Sequence, residues 1–155
     1  MTIYFYKVGE PYGCFSNFSR HAINLRGQIW PTVEHYYQAQ KFWGTENAAL
    51  MDVIRTSSTP EIAASIGRDR THKVRLDWEA VKYSIMREAV LTKFLTHPDI
   101  QAILLSTGEL MLVENSPTDY YWGCGLARTG QNQLGKILVS VRQEIRQRLT
   151  APKIL

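Results

Sequence analysis

Trp30-Pro31-Thr32-Val33-Glu34-His35-Tyr36-Tyr37-Gln38-Ala39-Gln40-Lys41-Phe42 reads as a helix from its first residues. Pro31 stands at the entry, Thr32 can cap, and no breaker follows. At about 100° per residue, Glu34, Gln38 and Lys41 fall within one narrow stripe. Tyr36, Ala39 and Trp43 fall on the opposite side and are expected to pack inward. A carboxylate, an amide and an amine thus share one face of a rigid element, which suits a pocket that moves protons on a polar substrate. The competing reading is a solvated polar face. Against it, acid and amine are seven residues apart, not the three or four of a surface ion pair, and Tyr37 and Phe42 flank the stripe like the walls of a ligand pocket.

Outward from this helix the pattern is of short strands and amphipathic helices. Ile3 to Tyr6 alternates and is rich in β-formers, so it reads as a strand. Pro11-Tyr12-Gly13 is a turn. Ala22–Leu25 and Gln28–Trp30 flank Arg26-Gly27 as a short hairpin. Thr45 caps a second helix to about Arg55, and Thr59-Pro60-Glu61 opens a third that ends at Gly67. Asp77 caps a long helix from Trp78 to about Thr96, with Val81, Ile85, Met86, Ala89, Val90 and Phe94 inward. Pro98 begins a short helix through Leu105. Glu109 to Glu114 is a buried strand, and Asn115 to Gln133 a long loop. Leu134, Ile137, Leu138, Val141, Ile145 and Leu149 form the apolar stripe of a last helix. The class is α+β: a mainly helical single domain over residues 1–150 with a small β-sheet, then a short flexible tail at 151–155.

The 155 residues are the length of one ordinary domain, and a hydrophobic content of 45% suffices for a core. No apolar run is long enough to span a membrane, and the start lacks the zones of a signal peptide, so a cytoplasmic protein is expected. Cys14 and Cys124 are expected to be reduced thiols. The four histidines show no metal-site spacing with them. The net charge of +4 fits nucleic acid, a small anion or neither. Arg68, Arg70, Lys73 and Arg75 cluster as a phosphate candidate, since Arg forks match phosphate oxygens. Lys136, Arg142, Arg146 and Arg148 read as a solvated face of the last helix.

Long loops in compact domains often carry function. Asp119 stands beside Trp122 and two glycines, either as a carboxylate against a stacking surface or as an Asx turn supporting the loop. Phe15-Ser16-Asn17-Phe18 places polar residues between two aromatics in a loop, either as a second site segment or with Phe15 and Phe18 as plain core anchors. Gly130 to Lys136 is a Gly-rich helix entry, a weak phosphate signal without a P-loop or dinucleotide fingerprint.

Taken in order, these segments resemble the NADAR family, in particular its YbiA-like N-glycosidases. The resemblance is carried by Phe15-Ser16-Asn17-Phe18, Trp30-Pro31-Thr32, Glu34-His35-Tyr36, Gln38-Ala39-Gln40-Lys41-Phe42, Gly67-Arg68, Asp77-Trp78, Val113-Glu114, Asp119, Trp122-Gly123, Gly125, Asn132 and Leu134-Gly135. It implies an α+β domain that cleaves N-glycosidic bonds of phosphorylated aminoribosyl-pyrimidine intermediates of riboflavin synthesis, releasing ribose 5-phosphate. Other members remove ADP-ribose from guanine bases, and only that alternative brings a nucleic acid as partner. By motif position, Glu34, Lys41, Trp78 and Asp119 carry over as catalytic, and Asn17, Arg68, Trp122 and Asn132 as pocket residues. Some relatives have an acid between the glycines where this chain has Cys124. Two routes fit: the two carboxylates divide acid and charge-stabilising roles, or Lys41 forms a Schiff base with the ring-opened sugar. Neither needs a metal or an organic cofactor. The reading from another class is a non-catalytic nucleotide or nucleic-acid binding module, although the basic residues do not interleave with aromatics.

Overall fold

The computed structural model describes residues 1–152; of the expected tail, residues 153–155 lie outside the described residues. In chain order the elements are β1 Thr2–Phe5, β2 Ile23–Leu25, β3 Gln28–Trp30, α1 Val33–Gln40, α2 Leu50–Arg55, α3 Pro60–Gly67, α4 Trp78–Thr96, α5 Pro98–Ser106, β4 Met111–Glu114 and α6 Gln133–Thr150, with a 3-10 turn at Gly13–Phe15. The class is α+β, as expected, but the strands form two separate pairs. The chain divides into two compact units, residues 17–96 and residues 1–16 with those from His97 onward. No helix among the described residues is long and apolar enough to cross a membrane.

In the unit 17–96, β2 and β3 pair antiparallel with Leu25 opposite Gln28. Arg26 and Gly27 both take positive φ, 58° and 73°, as a two-residue turn matching the strand twist requires. Helix α1 packs against α2, α3 and α4. All eight of its residues are buried. It stops at Gln40, and Lys41, Phe42 and Trp43 donate to Gln38, Ala39 and Gln40 in tighter i−3 turns. That change of period turns Trp43 out of the stripe predicted to be inward. Its ring is 59% exposed and lies under the Arg75 guanidinium at 5.1 Å. Helix α2 begins five residues after Thr45, because the Thr45 hydroxyl closes a local turn, donating to the Phe42 carbonyl and accepting from the Asn47 N–H. Helix α3 has the expected limits. In α4 the Asp77 carboxylate does not cap; the Arg75 fork holds it at 2.6 and 2.9 Å. Ile85, Met86, Ala89, Val90 and Phe94 are buried as expected, while Val81 is half-buried.

The start of α1 is fixed by a closed hydrogen-bond circuit. Thr32 Oγ1 accepts from the His35 backbone N–H at 3.2 Å and meets His35 Nδ1 at 2.8 Å. His35 Nε2 lies 3.1 Å from the Ser57 carbonyl. A carbonyl only accepts, so Nε2 carries the proton and Nδ1 accepts from the threonine hydroxyl. Burial pushes the imidazole below its ordinary 6.5, the Arg20 charge adds to this, and the Ser57 carbonyl and Glu61 oppose it.

In the other unit, β1 and β4 pair in parallel, Thr2 opposite Met111 and Phe5 opposite Glu114. Helix α6 packs on β4 and α5. Its stripe is buried from Leu134 to Ile145, but Leu149, near the C-terminal end, is 65% exposed. The expected solvated basic face is corrected. Arg142 is 2% exposed and donates to Thr107 Oγ1 at 2.8 Å and the Leu110 carbonyl at 2.9 Å. Arg146 bonds Glu109 at 2.6 Å and the Gly108 carbonyl, and Arg148 pairs with Glu144. Arg142 and Arg146 tie the last helix to the turn before β4, while Arg148 pairs within the helix and, with Lys136, is exposed.

Two stability experiments follow from these contacts. An added Cβ at Gly135 overlaps the Leu112 carbonyl oxygen and the Asn132 amide. In an ordinary helix interior, alanine for glycine gains about 1 kcal/mol. Here Gly135→Ala is expected to lose about 1–3 kcal/mol, as overpacking does, and a urea midpoint equal to or above wild type would refute the close approach. The His35 effect depends on pH. Its folded pKa is below its unfolded one, so the folded state binds fewer protons. Its contribution is present above pH 6.5 and is lost as pH falls toward the folded value. Urea midpoints should drop on acidification below 6.5, and this limb should flatten in His35→Gln.

Candidate active site

Within the unit 17–96, the stripe read from α1 survives as a site. Glu34 is 5% exposed and Gln38 2%, so the face is walled by protein. Gln38 Nε2 donates to Glu34 Oε1 at 2.7 Å. The Glu34 N–H donates to the Asn17 carbonyl at 3.1 Å, and Asn17 Nδ2 reaches the Met86 sulfur at 3.4 Å. Asn17 thereby joins the first turn of α1 to α4. Gly67, the last residue of α3, lies flat on Gln38, and a Cβ there overlaps the Gln38 amide. Sequence periodicity placed Gln38 on the stripe but gave no sign of Gly67 as its cover, because that contact joins two helices.

Lys41 follows the last residue of α1 and is half-buried. Its Nζ donates to the Gly67 carbonyl at 3.1 Å. It stands 5.7 Å from the Tyr37 ring centre and 5.9 Å from that of Trp78. The two rings are 5.1 Å apart and tilted by 58°. Burial lowers the Lys41 amine from 10.5 to about 8; the Glu34 and Glu79 carboxylates resist this, and Arg68 and Lys82 reinforce it. At pH 7 about a tenth of the amine is then neutral and nucleophilic. Arg68, at the end of α3, is exposed, and Arg75 is committed to Asp77. Phe42, expected to wall the pocket, is fully buried and meets His72 edge-on instead. Five expected site residues, Asn17, Glu34, Lys41, Arg68 and Trp78, therefore belong to this unit.

Asp119, Trp122 and Asn132 belong to the other unit. Asp119 Oδ1 accepts from the N–H groups of Tyr121 at 3.0 Å and Trp122 at 2.7 Å, so this oxygen supports the loop. Trp122 is 9% exposed and meets Tyr121 edge-on at 4.7 Å. Asn132, at φ 50°, donates to the Leu112 carbonyl at 2.9 Å and accepts from the Glu114 N–H at 3.0 Å, tying the loop end to β4. Cys124 is buried, its thiol 3.5 Å from Asn115 Oδ1 and from the Gly125 carbonyl. The Gly-rich entry to α6 is not a phosphate cradle. The N–H groups from Gly130 to Leu134 donate to carbonyls of Cys124, Tyr120, Gly123, Tyr121 and Trp122. Among the described residues no three His, Cys, Asp or Glu side chains gather as a metal site.

A family model described as NADAR domain matches residues 4–146. The chain is 61% identical over 150 residues to N-glycosidase Npun_R5314 of Nostoc punctiforme, covering 97% of this chain and 96% of that protein. It is 44% identical over 155 residues to the chloroplastic riboflavin biosynthesis protein PYRR of Zea mays, covering 92% of this chain and 25% of that one. The NMR structure of the Escherichia coli protein YbiA matches with a TM-score of 0.87 at 41% identity, covering 98% of this chain and 89% of that one.

The Lys41 amine is testable without a substrate. Pulsed labelling with an amine-directed reagent, read by peptide mass, should give a half-maximal rate for Lys41 near pH 8. Ordinary lysines titrate near about 10.4. A Lys41 profile indistinguishable from theirs would refute the desolvated amine.

Proposed function

This chain belongs to the NADAR family, and we propose that it is an N-glycosidase acting on phosphorylated aminoribosyl-pyrimidines, releasing ribose 5-phosphate and the pyrimidine. The observation that carries this reading is the buried Glu34 carboxylate on the same helix face as the Lys41 amine held at about 8. The similarity to a named N-glycosidase and to a riboflavin biosynthesis protein supports the bond and the substrate class.

In these compounds the sugar hangs from an exocyclic amine, so the ring can open to an imine at C1. The neutral Lys41 amine adds to C1, and the C1–N bond to the pyrimidine breaks. The added lysine nitrogen passes one proton to the pyrimidine nitrogen, Glu34 supplies a second, and the C1–N electron pair leaves with the pyrimidine amine. A Schiff base then joins C1 to Lys41. Water adds to C1, Glu34 accepts its proton, and the lysine amine is restored as the free sugar aldehyde departs. Burial supplies the neutral amine this needs, and Tyr37 and Trp78 offer aromatic faces for a pyrimidine. Arg68, exposed beside Lys41, is the group on α3 for the 5-phosphate.

The test is release of ribose 5-phosphate from the phosphorylated aminoribosyl-pyrimidine. Wild type is expected to turn over, and Glu34→Gln to lose about 10²- to 10⁴-fold in kcat, the range for a positioned acid–base group. Borohydride added during turnover should leave the reduced sugar on the peptide holding Lys41. An inert folded wild type overturns the substrate assignment, and turnover with no adduct overturns the Schiff-base route alone.

A further inference from the structure

Gln38 carries a mark that ordinary packing does not explain. Its Nε2 donates to Glu34 Oε1 at 2.7 Å, yet its own Oε1 is buried and has no hydrogen-bond partner among the described residues. Reversing the amide would set two acceptor oxygens against each other at the Glu34 contact, so the orientation is dictated by the carboxylate. Buried polar groups in folded proteins are nearly always paired, and an exception calls for a reason. A glutamine kept for stability alone would satisfy both ends. This one leaves its acceptor unpaired and keeps a single bond to a carboxylate. Gly67 allows this, since any side chain there overlaps the amide, and the Gly67 carbonyl also holds Lys41 at 3.1 Å.

We propose that Gln38 is a positioning residue for the N-glycosidase reaction: it pins Glu34 Oε1 and so makes Oε2 the oxygen that exchanges a proton. This rests on the N-glycosidase reading above. An amide N–H can only donate, so the oxygen it holds stays an acceptor throughout the cycle. Glu34 and Gln38 are one helical turn apart, and their geometry is set by a rigid helix. The amine, three residues further along, is held independently by Gly67. Acid and nucleophile thus have separate supports meeting at one glycine.

The experiment is Gln38→Met, which keeps the volume and removes the donor, with ribose 5-phosphate release and thermal midpoint measured together. The expected result is a loss in kcat of about 10- to 100-fold, the lower part of the range for acid–base positioning. KM should stay within about three-fold, since no substrate contact is removed. The thermal midpoint is expected to fall, because Glu34 Oε1 is left buried without its donor, so kcat is counted per folded molecule. A merely structural glutamine gives the same lower midpoint but leaves kcat per folded molecule unchanged. Gln38→Glu is the second variant and carries the test if the methionine protein does not fold. A glutamic acid side chain donates to Glu34 only while it holds a proton. Its activity relative to wild type at the same pH should therefore recover as pH falls, and a ratio flat with pH overturns the proposal. Wild-type kcat retained in Gln38→Met also overturns it while leaving the N-glycosidase reading intact. An inert wild type removes that reading and this inference with it.

Discussion

A helix buried on every side cannot leave its polar side chains to water, and α1 carries a histidine, a glutamate and two glutamines in eight residues. Each must find a partner in protein, or the helix costs more than it contributes. His35 is answered by Thr32 and Ser57, and Glu34 by Gln38. Those answers come from the helix itself and from the segments packed around it. The loop carrying Ser57, the end of α3 and the Met86 turn of α4 are therefore constrained by the hydrogen-bonding needs of one short helix. The site is a by-product of that constraint: polar groups forced inside, arranged so that most are satisfied and one acceptor is not.

The same arithmetic of partners bears on any nucleic-acid surface: Arg68, Arg70, Lys73 and Lys136 are exposed, while four other arginines are held by the fold. A net charge of +4 suggests such a surface only if the cations are available to phosphates. Arg142 and Arg146 bond carbonyls and side chains before β4, Arg148 holds Glu144, and Arg75 holds Asp77. These cations act as structural clamps. A similar economy explains the loop from Asn115. Its Asp119 oxygen, its Asn132 amide and the carbonyls from Tyr120 to Cys124 are turned onto the loop, β4 and the head of α6. A segment rich in Gly, Asp and Asn looked like a ligand cradle and is largely self-bonded.

What could be read in the sequence was whatever local periodicity and chain stereochemistry fix. Arg26-Gly27 had to be a tight turn, Thr59-Pro60 had to start α3, and Thr32 had to cap α1. Glu34, Gln38 and Lys41 had to share a face. What could not be read depended on contacts between distant segments or on a change of helical period. Trp43 was placed by extending a 3.6-residue repeat past Gln40, where the chain tightens to i−3 bonds. Arg142 looked solvated because arginine usually is, and only the Leu110 carbonyl and Thr107 hydroxyl, more than thirty residues away, draw it inside. Gly67 offered a helix end and nothing more. The family resemblance supplied the bond to be cleaved, which no spacing in this chain could have supplied.

The seven-residue separation of Glu34 and Lys41 has a chemical meaning beyond its use as a sequence signal. A lysine one turn from the glutamate would pair with it, and the opposite charge would hold the amine protonated. That place is taken by Gln38, which is neutral and occupies the carboxylate by donating to it. Lys41 is left a further turn along, where the Gly67 carbonyl accepts from its Nζ. Burial can then outweigh the Glu34 attraction and bring the amine to about 8. With acid and amine kept from pairing, the amine can be neutral while the carboxyl group stands nearby. In the proposed reaction the amine and the carboxyl group act in succession, and a salt bridge between them would hold the amine protonated.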